Sequence, residues 1–94
     1  MLTWLITKTT GGKTRVQIIK SLKNAPQNAN QLSTELKLSY KTICHHLKIL
    51  QKNKLLTTIN NTYTTIYQLS KTMEENYHLF EDLINIKPLN VTTF

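Results

Sequence analysis

Only Lys37-Leu-Ser39 separates two stretches of helical periodicity, and that brevity is the tightest constraint the chain places on its fold. Upstream, Ala29, Leu32 and Leu36 recur at helical spacing behind Asn28, which can cap a helix with Gln31 at its third position in a polar variant of the capping box. Downstream, Ser39 can accept a bond from a first-turn N–H, so a helix is predicted over Tyr40 to Lys52. Within it Ile43, Leu47 and Leu50 fall on one side, and Lys41, Cys44, His45 and Lys48 on the opposite one. Two helices joined so closely must pack across each other, and the second has one face to bury and one to offer.

Helix, brief turn, helix over Asn28 to Leu50 is the spacing of a helix-turn-helix. The charge balance suits the partner such a unit takes. Twelve Lys and Arg against five Asp and Glu give a net charge of +7, which attracts polyanions, nucleic acid ahead of an anionic membrane surface. Four of the five acidic residues, Glu74, Glu75, Glu81 and Asp82, sit in one late segment, so the positive charge belongs to the first three-quarters of the chain. A length of 94 residues fits one small domain and leaves no room for a catalytic domain beside a recognition domain. The single Cys44 excludes an intramolecular disulfide and a zinc finger, and is compatible with a reducing compartment. No apolar run approaches the ~20 residues needed to cross a bilayer. Met1-Leu-Thr-Trp-Leu-Ile6 is too short for a signal peptide and lacks its basic start. The expectation is a soluble, cytoplasmic protein without a membrane partner.

Residues 1–11 form either a short helix or arm against a second subunit, with Trp4 and Leu5 as contacts, or a cover for the core; Gly11-Gly12 then loosens the backbone. Lys13 to Lys23 reads as the first helix, with Val16, Ile19 and Leu22 inward, Ile18 widening the stripe, and Lys13, Arg15, Lys20 and Lys23 mostly on other faces. Asn24 suits a left-handed stop and Pro26 prevents continuation. Gly12-Lys13-Thr14 looks like the end of a phosphate-binding P-loop, but Thr7 stands where the first glycine should be and no strand precedes it. After Lys52-Asn-Lys54, the runs Leu55 to Ile59 and Thr64 to Leu69 read as a β-hairpin with its tip at Asn60-Asn61, and with Tyr67 and Leu69 on the core face. A last helix begins with Thr72-Met-Glu-Glu75 as a capping box or with Ser70 as the cap instead. Met73, Tyr77, Phe80 and Ile84 follow at heptad-like spacing, and Leu79, Leu83 and Ile86 widen the apolar surface beyond the need of one small core. Part of that helix is therefore expected to face another subunit, through Tyr77, Phe80, Leu83 and Ile84. Lys87-Pro88 is expected to end it, leaving residues 87–94 as a tail. The fold class is mainly α with a small hairpin: a winged helix-turn-helix domain over residues 12–70, followed by a dimerisation helix over 71–86.

The residues also resemble a family. Ser39-x-x-Thr-Ile-x-His-His-Leu-Lys-x-Leu50, continuing Gln-Lys-Asn-Lys-Leu-Leu56, is similar to the recognition helix and first wing strand of ArsR-type transcriptional regulators. Gly11-Gly-Lys-Thr-Arg-Val16, Asn28-Ala-Asn-Gln-Leu32 and Tyr40-Lys-Thr-Ile43 resemble archaeal members in particular. The likeness covers roughly Gly11 to Phe80. It implies a homodimeric, sequence-specific transcription regulator that binds double-stranded DNA, its third helix in the major groove and its wing along the backbone or minor groove. Two departures stand out. Many relatives sense metals through cysteines in the helix that here reads Asn30-Gln-Leu-Ser-Thr-Glu-Leu36, which has none, and the wing tip Asn60-Asn-Thr-Tyr63 carries no Arg or Lys to grip phosphate.

The expected DNA contacts are Tyr40, Lys41, Thr42, Cys44, His45 and Lys48 on the helix and Asn61, Thr62 and Tyr63 on the wing. Lys can serve guanine or phosphate, Thr a thymine methyl, and the Tyr40 hydroxyl a phosphate. Taken alone, such residues would be an ordinary solvated face. His46 flanks the buried side and reads as a structural, hydrogen-bonded histidine. Cys44, His45 and His46 cannot converge on a metal, because successive helical residues diverge by about 100°. Glu74 with His78, or His78 with Asp82, gives two partial ligands and no site, so no metal or cofactor is expected. Cys44 next to His45 is a diverging pair, and no nucleophile, base and acid stand at usable spacing, so the chain does not read as an enzyme. The competing function is a winged helix used as a protein-interaction module in a larger assembly.

Overall fold

The computed structural model describes residues 12–60 and 63–92. Helices α1 (Gly12–Asn24), α2 (Ala29–Leu36) and α3 (Tyr40–Lys52) lead into strands β1 (Leu56–Asn60) and β2 (Thr65–Leu69), and helices α4 (Lys71–Glu75) and α5 (Tyr77–Thr92) follow. Trp4 and Leu5, Asn61 and Thr62, and the Asn60-Asn61 tip lie wholly or partly outside the described residues.

The caps explain where the first helices start. Gln31 N–H donates to Asn28 Oδ1 while Asn28 N–H donates to Gln31 Oε1, both at 2.8 Å, so the polar capping box is closed in both directions. Ser39 Oγ accepts from Thr42 N–H at 3.1 Å and opens α3. Between them, Lys37 takes the left-handed conformation at φ 57°, and its N–H and that of Leu38 both go to Ser33 O. Lys54, after α3, is left-handed too at φ 63°. Among the described residues these are the two non-glycine positions with positive φ, and for a residue with a Cβ that conformation costs about 1–2 kcal/mol. Asn24 is not among them: Ala25 N–H reaches Ser21 O at 3.3 Å instead, prolonging the last turn of α1 up to Pro26.

Ile18, Ile19 and Leu22 of α1, Ala29 and Leu32 of α2, and Ile43, Leu47 and Leu50 of α3 form one core with Leu56, Leu69, Met73 and Phe80. The buried stripe of α1 runs through Arg15, Ile18, Ile19 and Leu22, spaced i, i+3, i+4, i+7, with Val16 at its margin. Arg15, expected on an outer face, is 5% exposed. There its Nε donates to His46 Nδ1 at 3.2 Å, which gives that N–H a partner inside the fold.

The strands pair antiparallel, Leu56 opposite Leu69, Thr58 opposite Tyr67 and Asn60 opposite Thr65. Direct partners share a face, so Tyr67 and Leu69 point to the core side together, Leu69 buried and Tyr67 half-buried. Gln27 adds a bridge to the other edge of β2: its N–H donates to Tyr67 O at 3.0 Å, and Tyr67 N–H donates to Gln27 O at 2.8 Å.

The C-terminal helix differs from expectation twice. Of the two caps the sequence offers, Ser70 is the one used, its Oγ accepting from Met73 N–H at 3.1 Å. The helix then breaks at Asn76, whose Nδ2 donates to Thr72 O at 2.9 Å while its own carbonyl starts α5 by accepting from Leu79 N–H at 2.9 Å. Second, α5 passes Lys87-Pro88 and continues to Thr92, so most of residues 87–94 is helix rather than tail. Pro88 therefore lies inside the helical span, where its φ near −65° is compatible with the helix but it has no N–H to give to the preceding turn. Phe80 is a further correction. It is fully buried inside its own chain and offers no surface to a second copy. Phe80→Ala should therefore cost about 3–5 kcal/mol, as a large cavity in a core does, read as a fall in urea-unfolding stability. A near-neutral result would contradict the placement.

Candidate nucleic-acid interface

The core holds α3 by one side, and the other side is wet. Lys41, His45 and Lys48, at i, i+4 and i+7, are all exposed and form one ridge, and Tyr40 at the start of the helix is 54% exposed. Thr42 is half-buried, its hydroxyl accepting from Ser39 Oγ at 2.8 Å, so it belongs first to the cap. Cys44 departs from the expected ridge: it is half-buried and packs against the core. At 100° per residue it stands about 60° from Leu47, on the flank of the buried stripe. Its hydrogen bond with Tyr40 is the main cause that pushes that hydroxyl's pKa up. The Tyr67 hydroxyl is pushed up by burial first and by Cys44 second.

Beside the ridge, a cleft of about 230 Å³ opens between the first residues of α2, the start of α3 and the wing. Asn30, Tyr40, Tyr63, Thr64, Thr65 and Tyr67 line it. Tyr63, at the wing tip, is 94% exposed. Hydroxyls and an amide thus stand next to the lysine ridge, a mixture that suits phosphate and sugar oxygens. Away from this surface, α5 carries Leu79 at 53% exposure with Tyr77, Leu83 and Ile84 half-buried. Lys23 lies 5.0 Å from the Tyr77 ring centroid and 3.4 Å from Glu74 Oε1, an exposed pair of small energetic weight.

The comparisons fit this architecture. The model of a family described as bacterial regulatory protein, ArsR family, matches residues 12–58, half of the chain. The chain belongs to the ArsR family. Among solved structures, this ArsR-family chain is similar to the transcriptional regulator HlyU from Vibrio vulnificus CMCP6, at 28% identity and a TM-score of 0.67, covering 84% of this chain and 83% of that one. It also resembles the homodimeric winged helix-turn-helix DNA-binding domain of Mb0332 from Mycobacterium bovis, described as a possible ArsR-family transcriptional regulator. That likeness has a TM-score of 0.74 at 13% identity and covers 90% of this chain and 77% of that one. Rv0081 of M. tuberculosis matches with a TM-score of 0.73 at 14% identity, over 99% of this chain and 94% of that one. No curated protein sequence matches it. The fold is thus a winged helix-turn-helix of regulatory type, and the family is one of regulators rather than enzymes.

Among the described residues of this ArsR-family chain, no three His, Cys, Asp or Glu side chains come together to hold a metal ion, and no helix is long and apolar enough to cross a membrane. What the periodicity reading missed is Arg15, although its place in the i, i+3, i+4, i+7 series was there to be seen. It touches the interface through His46, the neighbour of His45 on α3, the two rings meeting edge to face at 5.2 Å. Arg15 can only donate, so His46 Nδ1 must be unprotonated to accept. Burial first, then the Arg15 and His45 charges, lower the His46 pKa from its ordinary value. Below the unfolded value of about 6.5 the unfolded chain therefore binds more protons, so this contribution to stability is complete above that pH and is lost as pH falls through the lower folded value. His46→Asn keeps an acceptor without titrating. Its melting temperature should fall less than that of wild type between about pH 7 and pH 5, and parallel curves would remove His46 as the cause.

Proposed function

We propose that this protein is a homodimeric, sequence-specific, double-stranded-DNA-binding transcription regulator of the cytoplasm. The observation that carries the reading is the exposed Lys41, His45 and Lys48 ridge on a helix whose opposite side is locked into the core. In this reading α3 enters the major groove, Lys41 and Lys48 meet guanine edges or phosphates, and His45 meets a base edge. Tyr40 offers its hydroxyl to the backbone, and the wing, through Asn61, Thr62 and Tyr63, lies along the adjoining strand. Cys44 supports α3 from the flank instead of reading bases, and Thr42 contributes a methyl beside its capped hydroxyl.

The second subunit belongs on α5, where Leu79 is exposed and Tyr77, Leu83 and Ile84 are half-covered. Trp4 and Leu5 are the proposed contribution of the N-terminal arm. The described homodimer of Mb0332 supports a two-fold arrangement, which pairs with an inverted-repeat operator whose half-sites lie roughly 34 Å apart.

Selection of bound duplexes from a random pool should return such a repeat, with affinity falling steeply as salt rises. Lys41→Ala or Lys48→Ala should weaken binding and, wherever the lysine meets phosphate, flatten the salt slope by about one per contact, whereas His45→Ala should relax sequence preference. Failure to bind any duplex at low ionic strength sinks the reading and leaves a protein-interaction module. Sedimentation should give twice the chain mass, and Leu79→Asp with Leu83→Asp should return it to one. A dimer unaffected by that pair would place the seam elsewhere.

A further inference from the structure

Lys37 and Lys54 stand at opposite ends of α3 in a conformation that glycine adopts without penalty. The backbone leaves position 37 no alternative. Lys37 and Leu38 N–H both close on Ser33 O, Ser33 Oγ donates to Leu38 O at 2.5 Å, and Leu38 packs against the core. The turn between α2 and α3 is therefore fixed as left-handed, and a side chain there is carried against the backbone's preference. At Lys37 that side chain is exposed and, among the described residues, makes no ion pair. The carboxylate on the last turn of α2, Glu35, is engaged by the Ser21 hydroxyl across the α1 packing. Lys37 stands two residues ahead of the cap of α3, Ser39, and Lys41 lies in the first turn of that helix, so both lysines belong to its N-terminal end in the chain. Favourable interaction with the C-terminal end of the α2 dipole is weak at an exposed position and is screened by salt.

We infer that Lys37 is a phosphate-binding residue held by the strained turn at the mouth of the groove, where a neutral, unstrained residue would fold better and bind worse. The inference rests on the DNA-binding reading above. The N-terminal residues of a recognition helix enter the groove, so a residue just ahead of the cap lies beside the strand that borders it. Lys54 supplies the internal comparison. It is also exposed and also left-handed, but it follows α3, a helix about 20 Å long at 1.5 Å per residue, and stands at the base of the wing.

The test compares wild type with Lys37→Gly, Lys37→Arg and Lys54→Gly by thermal melting and by fluorescence anisotropy. The probe is a mixed-sequence duplex of about three helical turns, titrated over a series of salt concentrations. Both glycine variants should melt higher, by about 4 °C. Lys37→Gly should bind on the order of tenfold more weakly, with a log–log salt slope shallower by about 0.9 for each protomer on the duplex. Lys37→Arg should restore the slope, and Lys54→Gly should leave affinity and slope as in wild type. Unchanged binding in Lys37→Gly overturns the inference, as does an equal loss in Lys54→Gly, which would reduce the effect to net charge. If wild type ignores the duplex, the DNA-binding reading itself falls and takes this one with it. If wild type binds and Lys37→Gly matches it, only this one falls.

Discussion

Burial of Ile43, Leu47 and Leu50 is the constraint on which the rest of the molecule depends. These three side chains place the axis and rotation of α3 against α1, α2 and β1, and the rotation decides which residues remain outside. A helix free to roll by one residue would present Cys44 and Leu47 in place of the lysines, since each step is about 100°. The caps on both sides of the short turn fix where α3 begins, so neither rotation nor register is left to chance. Arg15 reinforces the same seam from α1, joining it to α3 by a buried bond between side chains far apart in the chain. The positive ridge is thus a by-product of how the apolar face is gripped.

That grip was largely legible in the sequence. Asn28 with Gln31, Ser39 ahead of Tyr40, and the apolar spacing of α3 each carry a local physical signal, and the structure contains all of them. The hairpin was equally readable from its two β-branched runs, although Asn60, expected at the tip, is still paired in β1 opposite Thr65. Arg15 was misread because its charge argued for solvent while its spacing argued for the core, and only the partner nitrogen on His46, a residue distant in sequence, resolves the conflict. Cys44 was misplaced for a simpler reason: dividing a helix into two faces hides the flanks, where a small side chain can turn inward.

The C-terminal region shows the limits of punctuation residues. Pro88 does not stop α5, and Asn76 interrupts the helical run where no proline or glycine stands. Phe80 nevertheless goes into the core and Leu79 stays outside, the division that the spacing of Met73, Tyr77, Phe80 and Ile84 expresses. The apolar excess noticed in the sequence is real, but it is split between the inside of one chain and its surface. Phe80 accounts for the first share and Leu79 for the second.

The bridge between Gln27 and Tyr67 reaches further than its two hydrogen bonds. It ties the outer edge of the hairpin to the link between the first two helices, so β2 is held on both of its edges, by β1 on one side and by Gln27 on the other. In the DNA-binding reading proposed above, a wing braced in this way leaves more of the adjustment to the duplex, so its stiffness and curvature would weigh on the fit at positions no side chain reaches.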